Sequence, residues 1–502
     1  MAQDLAEAAQ VTLAPETTLK TGPTAGWTVM QPNPGGIQGW EPKFKTVERD
    51  PLSKYATPEK GDNVGLDVDV TLVHDWNKDF ADMVGESMFR CTAKHIGNTN
   101  QSLYRPTAVT ATGYTVPSNG ALTNGLLVYA RGFGTAANNG LKLLAGTSIG
   151  TEIKTTGLTA EAAPPANVTV DVVGVQGATG DIQINGSGNL ISTVLDFTTL
   201  GLQVGQEIKI GGTGSNTFFA TATYNGFARI VSITANLITL TERTWTVGSA
   251  DNGAGKTIQL FSGRFYRNYT LDSANYKKAT LHGELEEQGP GTAGAATYTY
   301  AQGLALDTIT IDAPLESKIT ATVKFVGLDI PVPVLAGSRL GGAGVNPGDS
   351  PAKAYAPQAI ALSDTATDLK YIRLLDSNGN LVGEINSWKL SLTNNVKQRK
   401  VQATFGGIDH IYGKFMFNVS MEAYYSDYNA MIALRDNRDL SWSTIVQNGQ
   451  WGFAFNLPYV GLRNGNRSFA QNEPVMITCD VPAFRNAADA IAGSLTVFPF
   501  LP

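Results

Sequence analysis

A chain of 502 residues with a formal net charge of −6, 16% charged residues and 54 glycines has the length for roughly two to four domains and little of the long helical periodicity of an α protein. It holds no apolar run of about 18 residues, which argues against a helical membrane span, and its mild acidity argues against a groove that grips nucleic-acid phosphates. A passage that merely lets DNA slide would carry the same signature, and two cysteines, Cys91 and Cys479, are too few for a disulfide framework or a thiolate metal site.

Residues 1–38 carry Pro15, Pro23, Pro32 and Pro34 among several glycines and read as an N-terminal arm. The opening MAQDLAEAAQVTLAPE has neither a basic region nor an apolar core, so nothing there marks the chain for secretion. Trp27 and Trp40 are expected to pack either on the same fold or on a neighbouring copy. A first unit is predicted over 39–167 and 263–335. In it, Val64, Leu66, Val68, Val70 and Leu72 alternate with Gly65, Asp67, Asp69 and Thr71, the period of a strand with one buried face. A helix should follow, because Phe80, Met83 and Val84 fall at i, i+3 and i+4. Asp75, Asp79, Asp82 and Glu86 then read as a helix start and its solvated face rather than a carboxylate cluster. Between 97 and 165, Asn-Gly pairs at 119–120, 124–125 and 139–140 mark tight turns in a loop-rich stretch.

Residues 168–262 are predicted to form an inserted small β domain, with Gln206–Ile210, Phe227–Ile233, Leu237–Thr241 and Thr257–Phe261 as short strands between glycine turns. The run ADNGAGKT (250–257) has a relaxed phosphate-loop pattern, but the strand-like IQLFSGRFY after it supplies no helix N-terminus to cradle phosphate, so it reads as a hairpin loop. Long strands resume at Leu304–Ile311 and Ser317–Val326. Residues 336–357 read as a linker, and 358–502 as a second unit. There Trp388, Leu390 and Leu392 alternate with polar residues before an Asn394-Asn395 turn. Phe415, Phe417, Val419, Met421 and Ala423 form a long strand, and Tyr428, Met431 and Ile432 a short helix that Ser426 or Asp427 can cap. The strand-then-helix unit recurs: Leu72 to Phe80 is eight positions and Met421 to Tyr428 is seven, which points to a diverged internal duplication.

No catalytic constellation emerges. His74, His95, His282 and His410 stand apart, without the spacing of helix-borne metal ligands, and no nucleophile motif is present. The expectation is no enzyme, no cofactor and no metal.

Three stretches carry a family resemblance: VGLDVDVTL followed by DFADMV; QVGQEIKIGG, NGFARIVSITANLITL and GRFYRNYTLD; and SWKLSLTNN, YGKFMFNVSMEAYYSDYNAMIAL and FNLPYVGL. In this order they resemble the tail tube (major tail) proteins of long-tailed, non-contractile bacteriophages, the siphovirus type. The resemblance implies an all-β fold with a few short helices, here a duplicated tail-tube β-sandwich or barrel with an inserted small β domain. It implies subunits that close into rings and rings that stack into a tube for genome ejection. A duplicated chain implies a ring trimer with pseudo-sixfold symmetry, and an undivided one a hexamer. The implied partners are further copies of the chain, the tape measure protein, the tail terminator, tail-tip proteins and phage DNA passing through the lumen, with no membrane. The implied location is the virion tail, assembled in the host bacterial cytoplasm. Because DNA must slide without sticking, Asp67, Asp69, Asn418, Ser420 and Glu422 are the candidate lumen-facing residues. A distal ring protein of the tail tip and a β-rich phage adhesin are the alternatives.

Overall fold

The computed structural model describes residues 9–23, 26–49, 59–97, 101–148, 150–287, 296–335, 363–376, 379–380, 384–425, 428–469, 471–485 and 490–502. Among them the chain is β-rich with two α-helices. The first half runs β1 (Gln10–Pro15), β2 (Thr28–Met30), β3 (Pro32–Gln38), β4 (Lys43–Arg49), β5 (Glu59–Asp67), β6 (Asp69–Asp75) and α1 (Lys78–Phe89). Short strands β7 to β19 lie between Leu103 and Phe261, followed by β20 (Arg264–Arg267), β21 (Leu281–Glu287), β22 (Thr297–Ala313), β23 (Thr320–Val326) and β24 (Val334–Leu335). The second half runs β25 (Leu369–Asp376), β26 (Gly379–Asn380), β27 (Ile385–Thr393), β28 (Val396–Arg399), β29 (Asp409–Tyr412), β30 (Met416–Tyr424) and α2 (Asn429–Arg435). It closes with β31 (Leu440–Asn448), β32 (Trp451–Val460), β33 (Arg463–Ser468), β34 (Met476–Pro482) and β35 (Ser494–Phe498).

The central element is an eight-strand antiparallel array in the order β3-β6-β23-β22-β27-β30-β34-β33. Period-2 alternation gives it one apolar face: Val70 and Leu72, Val323 and Phe325, Ile309 and Ile311, Leu390 and Leu392, Val419 and Met421, and Cys479 and Val481 are all buried in one core. A six-stranded sheet, β20-β35-β32-β31-β25-β26, closes over that core. Trp76, just after β6, meets Phe453 and Phe455 of β32 at ring-centroid distances of 5.9 Å each. β32 is central and covered on both sides, so Phe453, Phe455 and Leu457 enter the main core while Ala454 faces a separate cluster with Phe227, Ile445 and Phe498.

The connections repeat. In each half an antiparallel pair (β1–β2, β25–β26) leads into a sheet strand (β3, β27), a two-stranded ribbon (β4–β5, β28–β29), the next sheet strand (β6, β30) and a helix (α1, α2). Each half later adds two further strands in the same relation, β22–β23 and β33–β34. The array is thus two consecutive runs of four strands, joined at the β22–β27 pair, where Thr308 to Ala313 oppose Thr393 to Trp388.

Asn77 caps α1 by accepting from the Phe80 amide at 3.0 Å, and Arg90 ends the helix in the left-handed region, φ 53°, with its N–H donating to the Glu86 carbonyl. The Asn394-Asn395 turn does more than reverse the chain. Asn395 takes φ 51°, while buried Asn394 donates through Nδ2 to the carbonyls of Ser87 (3.3 Å), Met88 (3.2 Å) and Leu306 (3.0 Å), tying the end of α1 to the sheet. α2 is shorter; Tyr428 occupies its cap without a side-chain bond, and the expected caps Ser426 and Asp427 lie outside the described residues.

Three expectations meet different facts. The segment 1–38, expected as an arm, is built into the fold from Gln10 onward. β1 pairs with β21 along its whole length, Val11, Leu13 and Trp27 are wholly buried, and Trp40 packs in the same core. The apolar VTLA run supplies that strand, which the surrounding prolines obscured. The boundary expected at 167/168 falls inside a single hydrophobic cluster that runs from Ile96 to Leu260. β13 (Thr169–Gln176) pairs with β10 (Leu126–Arg131) on one side and β19 (Gln259–Phe261) on the other, so the loop-rich stretch belongs with the inserted strands. The linker expected at 336–357 lies outside the described residues.

Candidate functional site

The second face of the eight-strand array is polar from edge to edge. Register aligns its outward side chains in rows across strands of both halves. One row reads Val73, Thr322, Thr310, Ser391, Asn418 and Pro482. The next reads Asp75, Thr320, Asp312, Lys389, Ser420, Asp480 and Arg463. Hydroxyls and amides predominate, and most charges have an opposite neighbour. Lys318 lies 2.8 Å from Asp75, Lys389 3.8 Å from Asp312, and Lys43 3.4 Å from Asp69. Such half-exposed pairs contribute about 0–1 kcal/mol each, so their consequence is a face of low net potential rather than added stability.

Four of the five candidate residues share this face. Asp69 lies at one end of the strands, opposite Val326, while Asn418, Ser420 and Glu422 run along β30 toward the other end. Ser420 donates to Asp480, as does Asn464 at 2.8 Å, and these two bonds hold the Asp480 carboxyl below its usual range. Asn386 donates to Glu422 at 3.3 Å. Asp67 is the exception. It ends β5 at the foot of the β4–β5 ribbon, 2.6 Å from the Lys400 ammonium and 3.2 Å from that of Lys45. The Lys400 hydrogen bond is the foremost cause of its lowered pKa. Sequence reading missed the share of the face contributed by β22, β23 and β34, although the alternation of Thr320, Thr322 and Lys324 with Ala321, Val323 and Phe325 was available as its signal.

The acidic face of α1 is not solvated. Lys78, 1% exposed, lies 3.1 Å from Asp82, and Arg264 bridges Asp82 at 2.8 Å and Asp171 at 2.9 Å. Asp171 belongs to β13, so this buried ion cluster seats the inserted module on the helix. A second polar contact joins Glu207 of β16 (Glu207–Ile210) to Asn456 of β32 at 3.1 Å, with Ser443 donating to Asn456 at 2.7 Å. The module therefore rests on the outer side of the six-stranded sheet, away from the polar face.

The remaining motifs are packing features. His74 stacks on Phe80 at 4.5 Å with burial lowering its pKa, His410 contacts the Gly303 carbonyl at 2.6 Å, and His282 lies 3.2 Å from the Glu16 carboxylate. Lys256 of the GKT loop donates to the Ser215 carbonyl at 2.7 Å, and the strand β19 follows rather than a helix. Among the described residues no cluster of three or more His, Cys, Asp or Glu could hold a metal, and no helix is long and apolar enough to cross a membrane.

A β architecture with one sealed face and one low-potential polar face has the form of a structural wall. The family model described as phage tail tube protein matches residues 218–483, just over half of the chain, from within the inserted module through β34. The chain belongs to that family. Membership makes it a structural component of the virion tail that assembles in many copies into a tube together with other tail proteins. No curated protein matches the chain.

Proposed function

We propose that three copies of this chain close into a ring, that rings stack into the tube of a long non-contractile tail, and that the polar face lines the lumen through which the genome is ejected into the host. The observation that carries this reading is the eight-strand array, apolar and buried on one side and polar on the other across both halves. Two runs of four strands in one chain support a diverged duplication, and hence a trimer with pseudo-sixfold symmetry. Size agrees: at about 4.8 Å per strand and a tilt near 40°, 24 strands give a backbone diameter of roughly 45–50 Å, and a hexamer of the same chain would double it. The smaller bore suits one DNA duplex. Its wall of hydroxyls, amides and paired charges offers no run of unpaired cations to hold phosphates.

The inserted module, on the far side of the outer sheet, is then an outward decoration of the tube. On this reading the tape measure protein, tail terminator and tail-tip proteins are the partners, and assembly takes place in the host cytoplasm before release. Negative-stain electron microscopy of the concentrated chain tests the proposal. Hollow tubes of uniform width, with three strong outer densities per ring after rotational averaging, are the expected result. Six chains per ring would refute the trimer, and persistent monomers or single rings, even with the tail-tip complex added, would refute the tube and favour a distal ring protein.

A further inference from the structure

The chain carries a template for its own ring contact. Within it, the two four-strand runs meet at β22 and β27, the last strand of the first run and the first of the second, in an antiparallel pair six residues long. The equivalent strands at the outer edges are β33 and β3. Among the described residues β33 pairs only with β34, and β3 only with β6. Each therefore presents one row of backbone N–H and C=O groups with no ladder partner, and β33 is exposed along most of its length.

The geometry points to a seam in which β33 of one copy pairs antiparallel with β3 of the next, reproducing the β22–β27 junction between molecules. This deepens the proposed tube and rests on it. Eight successive antiparallel strands leave the two edges running in opposite directions. A copy related by rotation about the tube axis thus brings β3 to β33 antiparallel, with the polar faces on the same side. Such a contact is heterologous and self-repeating, which closes a ring, whereas β33 meeting a second β33 would stop at a dimer. The sequence of β3, PNPGGIQ, confines the seam. Pro32 and Pro34 have no N–H to donate, so pairing is limited to Gly35–Gln38 and the residues just after, and longer off-register association of free chains is suppressed.

Hydrogen exchange on the unmodified full-length chain tests the seam directly. On passing from monomer to tube, amides of Arg463–Ser468 and Gly35–Gln38 should slow by at least tenfold. A paired-cysteine panel reads the same contact covalently: Gln38→Cys combined with Asn464→Cys, Asn466→Cys or Ser468→Cys. Mild oxidation of tubes should give species of two and three chains from at least one pair, because a disulfide needs Cα atoms within about 7 Å. Asn466→Pro, at an exposed edge position, should leave the monomer folded by circular dichroism and abolish rings. Tubes from the native chain without protection at either edge, tubes from the proline variant, or cross-linking by Asn466→Cys alone would each overturn the seam and leave the tube standing. A native chain that forms neither rings nor tubes would overturn both.

Discussion

Replacing Glu207 by Gln should make the chain more stable at pH 8 and almost no different at pH 5. Glu207 is enclosed where the inserted module meets β32. One carboxylate oxygen accepts from Asn456 at 3.1 Å and the other has no partner. Burial, with the nearby Glu242 charge second, pushes its pKa from the ordinary 4.5 up to about 8. The folded chain therefore holds this proton across the interval in which the unfolded chain gives it up. The resulting stability is fully present below pH 4.5, falls through the interval at about 1.4 kcal/mol per pH unit, and is gone above pH 8. Between pH 5 and pH 8 the loss comes to about 3–4 kcal/mol, and the Gln variant, which cannot ionise, escapes it. Thermal unfolding of both proteins at half-unit pH steps measures the difference, at roughly 2–4 °C per kcal/mol, and other titrating groups cancel in the comparison. Parallel midpoint curves for wild type and variant across this range would refute the argument and place Glu207 in contact with water.

Further outcomes follow from other contacts. Asp171→Ala leaves Lys78 and Arg264 buried with fewer counter-charges and should lower stability by about 3–5 kcal/mol in urea titration, whereas removal of an exposed partner such as Lys389 should cost under about 1 kcal/mol. Asn394→Ala strands three buried carbonyls around the end of α1 and should cost about 1–3 kcal/mol, with faster exchange of the last-turn amides of the helix. The double variant Asp67→Lys with Asp69→Lys should slow genome ejection from assembled particles and make its rate salt-dependent; salt-independent ejection at the native rate would remove both residues from the DNA path.

Much of the central sheet was legible because its signal is local. Alternation at Val64–Leu72, Trp388–Thr393 and Phe415–Ala423 reports a strand with one sealed face, whatever lies beside it. The cap of α1 and the Asn394-Asn395 turn were equally short-range. What escaped depends on partners far along the chain. An acidic helix face reads the same whether it meets water or Arg264, and Asp82 and Arg264 are brought together only by the fold. β1 is a brief apolar run among prolines whose meaning comes from β21, some 270 positions on. The extent of the inserted module was hidden for the same reason, since strands as short as Leu103–Tyr104 and Ala108–Val109 carry no period of their own. In the candidate site, Ser420 could be placed on the polar side, but its bond to Asp480 required a register that no local pattern encodes.

One strand sets how the wall responds to force. β22 is 17 residues long; its first part pairs with β21 and β24, and its last part with β23 and β27, on either side of Gly303 at φ 63°. Stacked layers that touch only through apolar side chains can slide past one another, because such contacts have little directional preference. Here sliding would stretch a continuous backbone and break the ladder on one side of the glycine. Load applied to the polar face therefore passes along a covalent path into β21 and β1. The wall behaves as one elastic shell, not as two nested sleeves.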